Sequence, residues 1–178
     1  VYDFNSEAYE PRVVDKKVVT VSGLDVVEKN MSSSLRDMGD GVALLEFNAK
    51  MNAIDQDIID MSHTALERLN SDFDALVIGN EGDNFCVGAN LFAVAMAAQQ
   101  GMWDTLNTMI KSLQEATFEL RHAPKPVVTA VHQMALGGGA EFAMSGWETI
   151  LAHETYIGQV EFGVGEVPIS ISGHPAKT

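Results

Sequence analysis

Hydrophobic and polar positions follow two different periodicities along the chain, and each periodicity predicts one kind of element. Short apolar runs of the buried type predict four strands, at 42–47, 75–79, 125–131 and 148–152. Apolar residues spaced three and four apart predict helices at 55–70 and 103–123. Asp55 or Asp57 can cap the first of these helices. The alternation of strands with helices favours an α/β architecture.

The first 40 residues differ from the rest of the chain, because they are polar and carry only two short apolar pieces, at 18–21 and 24–27. This composition predicts a linker or N-terminal extension with one short strand. We therefore divide the chain into an extension at 1–40, a core at 41–168 and a tail at 169–178.

The composition narrows the functional classes. The formal net charge is −14 and no basic patch is visible, so a nucleic-acid partner is not expected. The single cysteine, Cys86, excludes an intrachain disulfide framework and favours a reducing compartment. No apolar stretch approaches membrane-spanning length, and the first residues show no signal-peptide pattern. These observations predict a cytoplasmic protein without a membrane partner.

A run of glycines at 137–139 follows the last long apolar run and precedes Glu141. A glycine turn that enters a helix leaves backbone N–H groups pointing outward, where they can bind an anion or stabilise charge on a substrate oxygen. Packing of the helix on the strand, with Glu141 as a cap, explains the same residues equally well. A dinucleotide-binding fingerprint is excluded because its third glycine would fall at Phe142. The Gly-Lys-Ser/Thr of a phosphate-binding loop is also absent from this turn.

A second turn, "NFCVGANL" at 84–91, has the same character. Gly88 permits a tight backbone and leaves the Ala89 N–H free to donate, so two turns can supply two donors for one oxyanion. Glu161, in an apolar setting, adds a second carboxylate to Glu141. Two carboxylates beside two backbone donors suit acid–base chemistry on an activated carbonyl compound.

Four segments carry a family resemblance: "DGVALLEFNAKMNAIDQDII", "NFCVGANL", "PKPVVTAVHQMALGGGAEFAMSG" and "YIGQVEFGVG". Over about residues 40–168 the chain resembles the enoyl-CoA hydratase/isomerase (crotonase) superfamily. It is most similar to the hydratase-like region of fused 3-hydroxyacyl-CoA dehydrogenases. The resemblance implies the crotonase fold, an α/β spiral of strand–strand–helix turns. After Pro168 the sequence departs from the family pattern, which implies a C-terminally truncated member.

The resemblance also implies roles for individual residues. The amides of Ala89 and Gly138 would form an oxyanion hole for a thioester carbonyl. Glu141 would orient and activate water, and Glu161 would exchange a proton with the α-carbon and the water. Because both glutamates are present, a hydratase is favoured over an isomerase. Contacts with substrate or CoA are implied for a further set: Asn52, Ala53, Ile54, Gly88, Asn90, Leu91 and Gly137.

The function implied by the resemblance is acyl-CoA binding with hydration of a trans-2-enoyl-CoA, as in fatty-acid β-oxidation. CoA would arrive as part of the substrate, with no metal and no other cofactor. Two alternatives stay open, an enoyl-CoA isomerase and a non-catalytic crotonase-fold fragment that acts as a self-assembling or binding module. A homo-oligomer, trimer-based by resemblance, is expected because helix 103–123 and the helix after Gly139 would otherwise leave apolar surface uncovered.

The remaining candidates are weaker. The five histidines show no metal-ligand spacing. Cys86 is expected to be a packing residue, because no histidine partner is visible beside it. The run at 92–103 is predicted to be a core helix. In the family this region also lines the acyl pocket, so Met96 or Trp103 is a candidate substrate contact.

Overall fold

A six-stranded sheet organises the computed structural model, which describes residues 2–4, 6–9 and 20–160. Its strands lie in the order β3 (Asp25–Lys29), β4 (Ser33–Gly39), β5 (Val42–Phe47), β6 (Ala75–Gly79), β7 (Val127–Val131) and β9 (Glu148–Leu151). The first three strands are antiparallel, and the pairs from β5 to β9 are parallel. The strands predicted at 42–47 and 75–79 are confirmed at their full lengths, and the other two are confirmed with slightly shorter bounds.

Two long helices pack beside this sheet, as their apolar periodicity predicts. Helix α1 (Gln56–Ser71) begins at Asp55, whose side chain accepts a hydrogen bond from the Ile58 N–H and so caps the helix. Its apolar face is buried against β4, β5 and α3 (Trp103–Arg121). Only the second half of α3 supplies buried side chains, Leu113, Ala116, Thr117 and Leu120. The first half of α3 therefore stands clear of the core.

The segment before residue 41 differs from the sequence expectation of a linker with one short strand. Both β3 and β4 belong to the main sheet, and Ser33, Ser34 and Leu35 of β4 are buried. The serines are tolerated there because the Ser33 Oγ donates to Asn30 Oδ1 at 2.9 Å and the Ser34 Oγ donates to Glu46 Oε2 at 2.6 Å. Strand β4 therefore looks polar in the sequence although it lies in the core. The sheet begins before residue 41, where composition places the start of the core.

A second, smaller sheet lies beside the first. Strand β8 (Met134–Leu136) pairs in parallel with β10 (Tyr156–Gly158). Isolated bridges join Cys86 to Ala135 and Ile54 to Ala89, so four chain segments run side by side. The short helix α4 (Gly138–Ala143) follows β8 directly, and all six of its residues are buried. The expectation that the helix after Gly139 is uncovered is therefore wrong.

The helix predicted around 92–103 forms as α2 (Leu91–Gln99) but is not a core helix. None of its nine residues is buried, and Phe92 is 74% exposed. The run is apolar on every face, so its sequence cannot reveal which face meets the protein. Short elements complete the description: the strand pair β1 (Tyr2–Asp3) and β2 (Ala8–Tyr9), and 3-10 turns at Val21–Gly23 and Lys50–Asn52.

Candidate active site

The two glycine turns predicted to supply backbone donors meet in the structure. A Cβ placed on Gly88 would lie 3.4 Å from the Gly138 nitrogen, and a Cβ placed on Gly138 would lie 3.9 Å from the Ala89 nitrogen. The bridge between Cys86 and Ala135 brings them together, because it aligns the segment before one turn with the strand before the other. The Ala89 and Gly138 nitrogens therefore lie close to each other in the fold, and their role as an oxyanion hole stays a prediction.

The direction of the Ala89 N–H is set by its own peptide unit. The carbonyl oxygen of Gly88 accepts a hydrogen bond from the Ile54 N–H at 2.8 Å. The peptide between Gly88 and Ala89 is trans, and in a planar trans peptide the C=O and the N–H point in opposite directions. The Ala89 N–H therefore points away from Ile54. Gly88 has φ +89°, a conformation that favours glycine over every residue with a Cβ.

The Gly138 N–H is oriented in the same way by helix α4. The carbonyl oxygen of Gly137 accepts from the Ala140 N–H at 2.8 Å and from the Glu141 N–H at 3.1 Å. The opposite end of that peptide unit, the Gly138 N–H, therefore points out of the N-terminus of the helix. Across residues 20–160, neither the Ala89 nor the Gly138 N–H donates to a backbone carbonyl of a turn or loop.

Gly139 explains the third glycine of the run, and its role is packing. A Cβ at this position would overlap the carbonyl oxygen of Cys86 and lie 2.9 Å from the Cys86 Cβ. Helix α4 can approach the segment 84–88 this closely only because Gly139 has no side chain. Packing therefore explains Gly139, whereas the outward-pointing amide belongs to Gly138.

An apolar cleft of about 390 Å³ opens at these two turns. Leu91, Val94 and Ala98 of α2 form one side, and Trp103, Leu106, Met109, Ile110 and Leu113 of α3 form another. The predicted site residues Ile54, Gly88, Ala89, Leu91, Gly137 and Gly138 all line it. Trp103 contributes to the lining, whereas Met96 does not. A site of this kind suits a ligand with one polar group and an apolar body.

The two carboxylates predicted to be catalytic are only partly described. Glu141 lies on the first turn of α4 with 1% of its surface exposed, and it does not line the cleft. Its carboxylate is therefore held inside the protein just behind the glycine turn. Glu161 lies outside the described residues. The predicted convergence of the two carboxylates on one cavity stays a prediction.

Three other predicted contacts have different surroundings. Asn90 caps α2, since its Oδ1 accepts from the Ala93 N–H at 3.2 Å. Asn52 is buried, its Nδ2 donates to the Asn84 carbonyl at 3.0 Å, and it lines a second cleft of about 400 Å³ beside Glu46 and Glu81. Ala53 is half-buried and lines neither cleft. Periodicity could not reveal the contact of Asn52, because its partner Asn84 lies 32 residues further along the chain.

Cys86 is fully buried, and burial raises the pKa of its thiol from 9.0 to about 12. A neutral thiol of this kind is not a nucleophile near neutral pH. Its backbone is engaged instead, because the Cys86 carbonyl accepts from the Leu136 N–H at 2.9 Å. The surroundings agree with the packing role expected from the sequence.

Two further absences concern only the residues that the structure describes. In that part of the chain, no cluster of three or more histidine, cysteine, aspartate or glutamate side chains could hold a metal ion. No helix within the same ranges is both long enough and apolar enough to cross a membrane.

Comparison with known proteins identifies the family. A profile described as Enoyl-CoA hydratase/isomerase matches residues 37–174, and the chain belongs to this family. A probable 3-hydroxyacyl-CoA dehydrogenase from Bacillus subtilis is 41% identical over 172 residues, which are 94% of this chain and 22% of that protein. A crotonyl-CoA hydratase from Syntrophomonas wolfei is 34% identical over 122 residues, which are 66% of this chain and 45% of that protein.

Solved structures agree on the fold. An enoyl-CoA hydratase from Polaromonas sp. JS666 superposes with a TM-score of 0.72 at 24% identity, covering 76% of this chain and 54% of that one. One from Shewanella pealeana gives a TM-score of 0.71 at 25% identity, covering 80% of this chain and 54% of that one. The fold is that of the crotonases. The chain spans about half the length of these structures and less than a quarter of the Bacillus subtilis relative.

Proposed function

We propose that this chain binds the acyl group of a CoA thioester in the apolar cleft and hydrates a trans-2-enoyl-CoA, or dehydrates the corresponding 3-hydroxyacyl-CoA. The observation that carries the proposal is the pair of oriented amides, Ala89 and Gly138, at one end of that cleft. Family membership and the 34% identical crotonyl-CoA hydratase support the same chemistry.

The amides would act on the thioester oxygen. When water adds to the β-carbon of an enoyl thioester, the electron pair of the double bond moves towards the carbonyl and negative charge develops on its oxygen. Two N–H groups held in position stabilise that charge, and loss of one such donor in an enzyme costs about 3 kcal/mol of transition-state stabilisation. The Gly88 and Gly137 carbonyls, which share peptide units with these two amides, both accept hydrogen bonds. The Ala89 and Gly138 N–H groups are therefore already oriented and need no rearrangement to act.

The proton transfers are assigned to Glu141 and Glu161. Glu141 orients and activates the water whose oxygen adds to the β-carbon. Glu161 exchanges a proton between that water and the α-carbon, so the elements of water are added across the double bond and none is lost. The buried position of Glu141 supports this role, because a carboxylate shielded from bulk solvent can hold one water in a defined place. The role of Glu161 rests on the family resemblance.

The test is the hydration of crotonyl-CoA, which is measured as the loss of enoyl-thioester absorbance. Glu141→Gln keeps the size of the side chain and removes its basicity, so we expect hydration to slow by about 10²–10⁴-fold. Glu161→Gln is expected to abolish it. Glu67→Gln, at an exposed position of α1, is the matched control and should hydrate like the wild type.

Three outcomes would contradict the proposal. Hydration by Glu141→Gln at the wild-type rate would remove Glu141 from the chemistry. A folded wild-type chain that binds crotonyl-CoA without hydrating it would be a binding module. Conversion of a trans-3-enoyl-CoA without hydration of crotonyl-CoA would identify an isomerase.

A further inference from the structure

Asn52 stands out among the buried polar residues because its backbone and its side chain are both unusual. It has φ 50° and follows Met51, which has φ 57°, so two consecutive residues with side chains adopt the left-handed conformation. Asparagine tolerates this conformation better than most residues. Its side chain is buried and does not line the apolar cleft. Contact with the acyl group therefore does not explain the conformation and the burial of Asn52.

The contacts of Asn52 supply the explanation. Its Nδ2 donates to the Asn84 carbonyl at 3.0 Å, and two residues later the Ile54 N–H donates to the Gly88 carbonyl at 2.8 Å. The segment 52–54 therefore holds the segment 84–88 at both ends. Asn80 also donates to the latter segment, at the Phe85 carbonyl, but that bond lies within a single loop and does not tie the two segments together.

Backbone hydrogen bonds hold the opposite side of the segment 84–88. Phe85 N–H donates to His132 O at 3.2 Å, Cys86 N–H donates to Met134 O at 3.1 Å, and Leu136 N–H donates to Cys86 O at 2.9 Å. These bonds connect it to the strand that leads into the Gly137 turn. The segment 84–88 thus links the turn of Gly138 to the segment 52–54. Asn52 provides a side-chain hydrogen bond between the segments 52–54 and 84–88.

We infer that Asn52 is a positioning residue that aims the Ala89 N–H into the cleft. It acts through the Ile54–Gly88 hydrogen bond, because the Gly88 carbonyl and the Ala89 N–H are opposite ends of one rigid peptide unit. If the segment 52–54 shifts, the carbonyl follows its donor and the N–H turns with it. The inference rests on the proposed function of the Ala89 amide as an oxyanion donor.

The test measures the hydrogen bonds that the two amides donate to a bound thioester carbonyl. Butyryl-CoA, isotope-labelled at the thioester carbonyl carbon, is bound to the full chain, and the carbonyl stretch is measured by infrared difference spectroscopy. Hydrogen bonds from two N–H groups lower this frequency relative to the free ligand. In Asn52→Asp, which keeps the shape and the left-handed preference but loses the N–H donor, we expect at least half of that lowering to disappear. The kcat for crotonyl-CoA should fall at least about tenfold and its KM change less than about threefold.

Asn52→Gly is a second variant that tests the same role without burying the charge that Asn52→Asp introduces. Glycine adopts the left-handed conformation freely, so this variant is expected to fold. It should show the same loss of the carbonyl shift. Asn70→Asp, an exposed residue at the end of α1, is the matched control and should keep the wild-type shift and rates.

The outcomes separate the two claims. A folded Asn52→Gly chain that binds butyryl-CoA with the full wild-type shift overturns the role of Asn52 and leaves the proposed function standing. A wild-type chain that binds butyryl-CoA with no shift overturns the proposed function, and the role of Asn52 falls with it. A variant that merely melts at a lower temperature with an unchanged shift would show a structural role only, and that also overturns the inference.

Discussion

At the scale of single residues, close backbone contacts determine what each side chain can do. Gly139 lets α4 lie against the carbonyl of Cys86, and the Cys86 side chain is fully buried. A thiol in such surroundings loses the water that would solvate its charged form, so burial raises its pKa to about 12. Cys86 is therefore a small apolar residue in practice.

We predict that Cys86 resists alkylation in the native chain. With a thiol pKa of about 12, only about one molecule in ten thousand carries a thiolate at pH 8, so iodoacetamide should react at least about a hundredfold more slowly than after unfolding in guanidinium. Because Cys86 is the single cysteine, the mass of the intact chain reports its reaction alone. Rapid labelling of the native chain would contradict the burial.

The same pKa has a consequence for stability. The pKa is raised by folding, so the contribution of Cys86 to stability is fully present below pH 9 and is lost as the pH rises towards 12. The free energy of unfolding should therefore fall more steeply above pH 9 in the wild type than in Cys86→Ala. Identical slopes in the two chains would contradict this.

At the scale of elements, the α2–α3 hairpin decides the length of the cleft. Helix α2 begins two residues after Ala89, and Leu113 of α3 lies 3.5 Å from a Cβ placed on Gly138. Trp103 precedes Leu113 by ten residues, which at 1.5 Å per residue places it about 15 Å further along the helix. The lining of the cleft thus runs from the two amides to the turn between the helices.

We predict that Trp103→Ala weakens the binding of long acyl chains only. An extended chain advances about 1.3 Å per carbon–carbon bond, so about twelve carbons reach Trp103 from the amide end. Calorimetry should show dodecanoyl-CoA binding at least about fivefold more weakly and butyryl-CoA changing less than twofold. Phe92→Ala is the control, because Phe92 is an exposed aromatic of the same hairpin that does not line the cleft. Equal losses for both ligands would place the acyl chain elsewhere.

At the scale of the whole molecule, one edge of the main sheet exposes apolar side chains. Strand β9 is the last strand of the sheet order, and all four of its residues are exposed. Ile150 is 56% exposed and the neighbouring Trp147 is 53% exposed. Apolar residues clustered at an open sheet edge favour association with another chain.

We predict that the chain forms a homo-oligomer, trimer-based by family resemblance, that covers this edge. The surface involved cannot include α4, which is already buried. Ile150→Glu should shift the sedimentation coefficient towards that of the monomer, whereas Glu67→Lys, on an exposed position of α1, should leave it unchanged. A folded wild-type monomer at high concentration would contradict the prediction.

The local sequence pattern was sufficient to predict each element whose structure depends only on its own residues. The strands at 42–47 and 75–79 and the family motifs around the two glycine turns all follow from neighbouring positions in the chain, and the same positions narrow the cap of α1 to Asp55 or Asp57, of which the structure shows Asp55. Side-chain periodicity and capping act within a few residues, so the sequence by itself determined them.

Only the tertiary structure decided the features that depend on distant partners. Strand β4 lies in the core because it pairs with β5 and packs against α1, and within residues 20–160 helix α2 packs against α3 with none of its nine residues buried. The Ala89 N–H points away from Ile54 because that residue holds the carbonyl of Gly88. Hydrogen bonds between segments more than thirty residues apart leave no periodic signal in the sequence, so the site could be located by its glycines but oriented only by the fold.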